Sequence, residues 1–358
     1  MGFNKIMKIF LVLFSLAASI TTLLSEADGM RLDFYEQSCP NAEKIVMSEV
    51  QKILAQSQNK NAPAQLLRLF FHDCFIEGCD ASILLTESNG TSMVERQAIP
   101  NQTLKGFEFI DIIKEELEKE CPGIVSCSDI LVLATRNFII LSGGPYYPVY
   151  TGRKDNNQSF FSKALSDIPR PNGNIIGTLR LFSLRGFSAR ETVALLGGHN
   201  IGKISCEFIL PRINNNFLGL GSPDSTLPSD FLEEIKLKCL ESNSSFSNSE
   251  SFTESSSISE SERSMAYFQE LSSSPSSQSP FGTHYYRSLM IGRGLLFADQ
   301  QLMANEETAK VVVEYSLDDG TAFRTDFARA MVKMSNLVSL SGLEGQVRLN
   351  CSIALKSS

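Results

Sequence analysis

The sequence predicts a mainly α protein, built as one large core or two lobes, on three observations. Apolar residues recur at helical spacing in several segments, strand signals are few and short, and 42% of the 358 residues are hydrophobic against 20% charged. In chain order, Ala42 to Gln56 places Ile45, Val46, Val50, Ile53 and Leu54 on one helical face. Phe107 to Leu117 repeats the pattern with Glu and Lys opposite, and Ser128 to Leu141 is apolar nearly throughout, which predicts a buried helix. Ala189 to Leu196 and Thr321 to Leu340 also fit helices. Gly143-Gly144-Pro145 and Pro169-Arg170-Pro171 interrupt the periodicity and mark loops, and Tyr146 to Tyr150 reads as a short strand.

The formal charge of −8, with no basic block, argues against a nucleic-acid partner, because counterion release needs clustered Lys and Arg. Residues 1 to 27 have the three parts of an export signal. These are Lys5 and Lys8, the apolar stretch Ile9 to Leu24, and small residues at Ser25 and Ala27. The apolar stretch is shorter than the ~20 residues that span a bilayer, so cleavage and a secreted, monomeric product of residues 28–358 with no membrane attachment are expected. All eight cysteines lie beyond the signal, and in an oxidising compartment they suggest four disulfides out of 105 possible pairings. Asn89, Asn101, Asn157 and Asn243 begin glycosylation sequons. The run 242–264 holds twelve serines in twenty-three residues and too little apolar surface to offset its ordering entropy, so a solvated surface insertion is expected.

Three constellations carry chemistry. In Leu67-Arg-Leu-Phe-Phe-His-Asp-Cys-Phe75, a helix begun near Pro63 puts Arg68 and His72 at i and i+4 on one face. A cation beside an imidazole keeps it neutral and able to accept a proton; the plain alternative is a surface Arg with an incidental His. The run Asp73-Cys-Phe-Ile-Glu-Gly-Cys-Asp-Ala-Ser82 follows, and Asp73, Asp80 and Ser82 offer the hard oxygens of a calcium loop that turns at Gly78. Its alternative is an ordinary disulfide loop with exposed acids. In Val193-Ala-Leu-Leu-Gly-Gly-His-Asn-Ile-Gly202 two glycines before His199 permit a flat, bulky group to approach the backbone. Farther on, Asp299 follows an apolar run, and a buried carboxylate there needs a partner such as an imidazole N–H.

From Phe34-Tyr-Glu-Gln-Ser-Cys-Pro40 to Val347-Arg-Leu-Asn-Cys351 the chain resembles the secretory plant (class III) haem peroxidases. The resemblance implies a two-lobed helical fold with haem b between the lobes, reduction of hydrogen peroxide and one-electron oxidation of small phenolic donors. It implies the pairs Cys39–Cys121, Cys74–Cys79, Cys127–Cys351 and Cys206–Cys239. It assigns His199 as the axial iron ligand and Asp299 as acceptor of its other ring N–H. It makes His72 the proton carrier, Arg68 the charge stabiliser and Asn101 the partner of His72, with Phe71 covering the distal haem face. Pro169 and Phe208 would line the donor entrance. Asp73, Ile76, Gly78, Asp80 and Ser82 would hold a distal calcium, with Glu95 tying Asn101 to that site.

The departures lie on the proximal side. The family usually has Thr, a second calcium ligand, where this chain has Asn200, and Gly282 and serines stand where acids are expected. Neutral ligands bind calcium weakly, so a weakened or lost second site is expected. The aromatic residue near the proximal imidazole is missing unless Phe268 serves, Tyr147 replaces the family's usual Trp as a packing residue, and His284 reads as a surface residue. This altered side supports one alternative function, a secreted haem-binding or wall-associated protein with little turnover. Intact Arg68, His72, Asn101 and Asp299 argue against it.

Overall fold

A computed structural model describes residues 29–87, 93–239, 264–266, 281–337 and 345–355. The export signal at 1–27, the Ser-rich run up to residue 263, Phe268, and the sequons at Asn89 and Asn243 lie outside the described residues.

The regular structure of the described chain is helical apart from two isolated bridges, Arg31 with Thr151 and Asp155 with Gln346, and one two-residue antiparallel ribbon, in which Ile204 pairs with Met265 and Ser205 with Ser264. Thus the last residue of the Ser-rich run is in a strand. In chain order the helices are α1 (Ala42–Leu54), α2 (Ala62–Glu77), α3 (Phe107–Glu120), α4 (Cys127–Leu141), α5 (Phe161–Asp167), α6 (Ile175–Ser183) and α7 (Ala189–Leu196). They continue as α8 (Cys206–Ile213), α9 (Ser229–Cys239), α10 (His284–Met290), α11 (Phe297–Gln300), α12 (Glu306–Leu317) and α13 (Thr321–Ser335).

Two groups form. In the first, α4 packs against α1, α2 and α3, as its all-round apolar sequence requires; Ser126 Oγ caps it by accepting from the Asp129 N–H at 3.1 Å. Each fully buried Leu, Ile or Phe in such a helix contributes about 1.5–3 kcal/mol. In the second group α7, α10, α12 and α13 meet around the buried rings of Tyr286, Tyr315, Phe323 and Phe327. Helix α2 bridges the groups by also packing on α13.

Four disulfides close the described chain: Cys39–Cys121, Cys74–Cys79, Cys127–Cys351 and Cys206–Cys239, with no free cysteine. Cys127–Cys351 ties the start of α4 to a segment 224 residues away, and chain-entropy models assign such long loops about 3–5 kcal/mol. Among the described residues no helix is long and apolar enough to cross a membrane.

Tyr146 to Tyr150 is not a strand. Tyr147 and Val149 are buried while Pro148 and Tyr150 face out, so the backbone is extended, but no neighbour supplies a ladder. Alternating burial reports extension; a strand also needs a partner. Helix α13 stops at Ser335, five residues before the expected end, and residues 338–340 lie outside the described part.

Candidate active site

Helix α2 carries the first histidine. Asn61 precedes it, Pro63 sits in its first turn, and Gly78 ends it at φ +91°, a conformation that favours glycine. Arg68 and His72 both line one cavity from this helix. His72 Nδ1 lies 2.6 Å from Asn101 Oδ1, and Asn101 Nδ2 donates to the Glu95 carbonyl at 2.8 Å. The second bond fixes the amide, so its oxygen faces His72, Nδ1 carries the proton and Nε2 keeps a lone pair. Burial first, and then the Arg68 charge, lower the His72 pKa to about 3 against the pull of Asn101. The adjacent cation is thus the smaller cause and desolvation in the folded chain the larger. Arg68 is itself held down to about 10 by burial. Its Nη1 donates to the Thr103 carbonyl and hydroxyl at 3.2 and 3.0 Å and its Nη2 to the Pro100 carbonyl at 3.0 Å, with the Phe208 ring 5.8 Å away.

Asp73, near the end of α2, and Asp80, Ser82 and Glu95 beyond it are all essentially sealed from solvent. Asp73 Oδ2 accepts the Ala81 N–H, Asp80 the Ser82 N–H and Asn156 Nδ2, and Glu95 Oε1 the Phe160 N–H. One oxygen on each of three residues, Asp73 Oδ1, Ser82 Oγ and Glu95 Oε2, is buried without a hydrogen bond. The Ser82 hydroxyl lies close enough to Asp80 and Glu95 to favour their charged forms, but not in hydrogen-bonding geometry. Burial, reinforced by the neighbouring carboxylates, raises Asp73 well above the usual range and Glu95 to about 8. Among the described residues no three His, Cys, Asp or Glu side chains alone form a metal site; a cation here would need a mixed set of carboxylate, hydroxyl and carbonyl oxygens.

The second histidine follows α7, which starts in a Ser188–Glu191 capping box and ends at Gly197. The two glycines do different things. A Cβ at Gly197 would overlap the Tyr286 hydroxyl and the Phe323 ring, so that glycine serves core packing. A Cβ at Gly198, which lines the cavity, would press on Leu67 at 3.0 Å. His199 Nδ1 lies 2.8 Å from Asp299 Oδ1, and Asp299, fully buried in the first turn of α11, also accepts the Leu296 N–H at 3.4 Å. Burial alone would lower the His199 pKa, but the charge and hydrogen bond of Asp299 outweigh it and raise it. The side chain is 38% exposed because it borders the cavity, which weakens that desolvation.

The cavity, about 570 Å³, is bounded by Phe71, Phe182, Leu195, Leu196 and Met331 as well as both histidines, with Pro169 and Phe208 also on its walls. Phe71 stacks on Phe75 at 4.7 Å. A family model described as Peroxidase matches residues 46–318. The chain belongs to the peroxidase family. It is 42% identical to Putative Peroxidase 48 of Arabidopsis thaliana, over 91% of this chain and 83% of that relative. From the same plant, Peroxidase 56 is 36% identical over 91% of each chain, and Peroxidase 39 is 37% identical over 91% of this chain and 93% of its own length.

The family implies haem, and the residues of this peroxidase suit one. The cavity is largely apolar and of ligand size, and each of two histidines has Nδ1 engaged, which leaves Nε2 as its remaining ring nitrogen. Glu95 bonds Asn101 as expected, through its backbone carbonyl. Two placements differ from the sequence reading. His284 is half-buried, its Nε2 3.1 Å from the Asn200 carbonyl, because α10 packs its first turn on the segment bearing His199. Asn101 is buried with both amide atoms bonded, so its sequon cannot carry a glycan in the folded chain, whereas Asn157 is exposed. Pro100 and Thr103, which hold Arg68, went unnoticed in the sequence because carbonyls and single hydroxyls leave no spacing signal.

Proposed function

We propose that this peroxidase is secreted, binds one haem b through His199, and reduces hydrogen peroxide while oxidising small phenolic donors. The supporting observation is the pair of histidines on one cavity, each oriented through Nδ1 by a buried partner. When bound, the haem supplies the redox chemistry, accepting oxidising equivalents from peroxide and passing them on to donors singly. His72 Nε2, neutral at any physiological pH, takes the proton from the nearer peroxide oxygen and returns it to the departing one. Arg68 provides a charge that stabilises the negative charge developing on the departing oxygen before the proton reaches it, and Asn101 keeps the His72 tautomer fixed. Asp299 orients the His199 ring and raises its basicity. Pro169 and Phe208 border the space where a donor ring would rest. Four disulfides and the residues at 1–27 support export, and the product is read as a monomer of residues 28–358. Purified protein is expected to show a Soret band that moves on adding peroxide and returns with guaiacol; a colourless protein, or a band indifferent to peroxide, defeats the reading.

Asp73, Asp80 and Ser82 with the Ile76 and Gly78 carbonyls would hold calcium beside Glu95, and the three unbonded oxygens there support it. At Asn200 the chain bonds to itself instead. Asn200 Nδ2 donates to the Gly197 carbonyl at 2.9 Å, its Oδ1 accepts the Tyr285 N–H at 3.1 Å, and its carbonyl faces His284. One calcium per chain is therefore expected by elemental analysis after dialysis, and two would contradict this assignment.

A further inference from the structure

Tyr285 has no part in the function so far, yet its hydroxyl ends on the proximal pair. Fully buried, it donates to Asp299 Oδ1 at 3.0 Å, the same atom that lies 2.8 Å from His199 Nδ1. Its ring stands edge-on to the imidazole, centroids 6.2 Å apart and planes at 78°. Its backbone N–H is fixed by Asn200 Oδ1, and Asn200 follows His199 in the chain. Four residues thus form a closed loop: His199 to Asp299, Asp299 to Tyr285, Tyr285 to Asn200, and Asn200 back to His199 through the peptide bond.

Two donors on one carboxylate oxygen compete. Each withdraws electron density from the atom the other needs, and in a buried setting the effect is not screened by water. With Tyr285 bonded, Asp299 draws less strongly on the His199 Nδ1 proton, and the ring stays closer to a neutral imidazole. We propose that Tyr285 is a positioning residue that sets the electron-donating strength of His199 by sharing Asp299 Oδ1 with it. This rests on His199 being the axial ligand of the haem.

Tyr285→Phe removes one oxygen and keeps the ring. In the haem-loaded variant the Fe(III)/Fe(II) midpoint potential should become more negative and the iron–histidine stretching frequency of the ferrous form should rise, since a more anionic ligand favours the ferric state. In haem-free protein the His199 Nδ1 proton resonance should move downfield as its bond to Asp299 strengthens. Tyr286→Phe is the control. Its hydroxyl is equally buried but donates to the Val193 carbonyl at 3.1 Å, so it loses a core hydrogen bond without moving either readout. Fluorotyrosine at position 285, a stronger donor of the same shape, should move both readouts the opposite way and decides the matter if Tyr285→Phe folds poorly. Unchanged potential and proton shift in both 285 variants, or an equal change in Tyr286→Phe, overturns the proposal. An iron–histidine stretch that survives His199→Gly would instead refute the ligand assignment, and the haem-free proton shift would still judge Tyr285.

Discussion

Replacing His72 by Leu is expected to slow the reaction with hydrogen peroxide by about 10²–10⁴-fold, the usual contribution of a positioned acid–base group. Leu keeps an apolar side chain of similar bulk on α2, so haem uptake and the Soret band should persist. What is lost is a ring nitrogen with a lone pair at neutral pH, held by Asn101 and kept unprotonated by burial and by Arg68. Stopped-flow mixing with peroxide reads the effect directly, and a wild-type rate in His72→Leu would remove His72 from the mechanism. Asn101→Ala should give a smaller loss of the same kind, because the ring remains but its tautomer is no longer dictated.

Removal of calcium by a chelator is expected to lower the melting temperature by roughly 10 °C. A cation at 1,000 times its dissociation constant contributes about 4 kcal/mol, and a domain of this order of size moves ~2–4 °C per kcal/mol. The physical cause is local. Asp73, Asp80 and Glu95 are buried together, and without a cation they must be desolvated against one another or take up protons. Peroxide reactivity should fall in parallel, because Glu95, whose carboxylate is buried beside Asp73 and Asp80, orients Asn101 through its carbonyl. Calcium should restore both and magnesium should not, since the smaller ion resists shedding its water for an irregular oxygen set. An unchanged melting point in protein shown by elemental analysis to be calcium-free would refute the site. The Cys74–Cys79 bridge holds the loop's ends together either way, so the loss should be partial.

The two histidine motifs were legible because their chemistry is local. Arg68 and His72 share a helical face, and Asp73 to Ser82 is one continuous stretch of chain, running from the last residues of α2 through Gly78. Resemblance supplied what spacing could not, notably the partners Asn101 and Asp299. His284 was misread as a surface residue because its burial comes from α10 docking on the His199 segment, which no periodicity in the Ser-rich neighbourhood records. Tyr146 to Tyr150 failed for the same class of reason. Its alternation was real, but strand formation depends on a neighbour supplied from elsewhere.

By itself the sequence determined the helical class, the cysteine content and the identity of the candidate side chains, since periodicity, composition and motif are properties of short stretches. Only the folded chain decided which atoms those side chains spend on each other. It set Asn101's amide orientation, the three unbonded oxygens beside α2, the self-bonded Asn200 and the shared oxygen of Asp299. The reason is that hydrogen bonding and desolvation depend on distances of a few ångströms between residues as much as 100 positions apart, and only packing sets those distances.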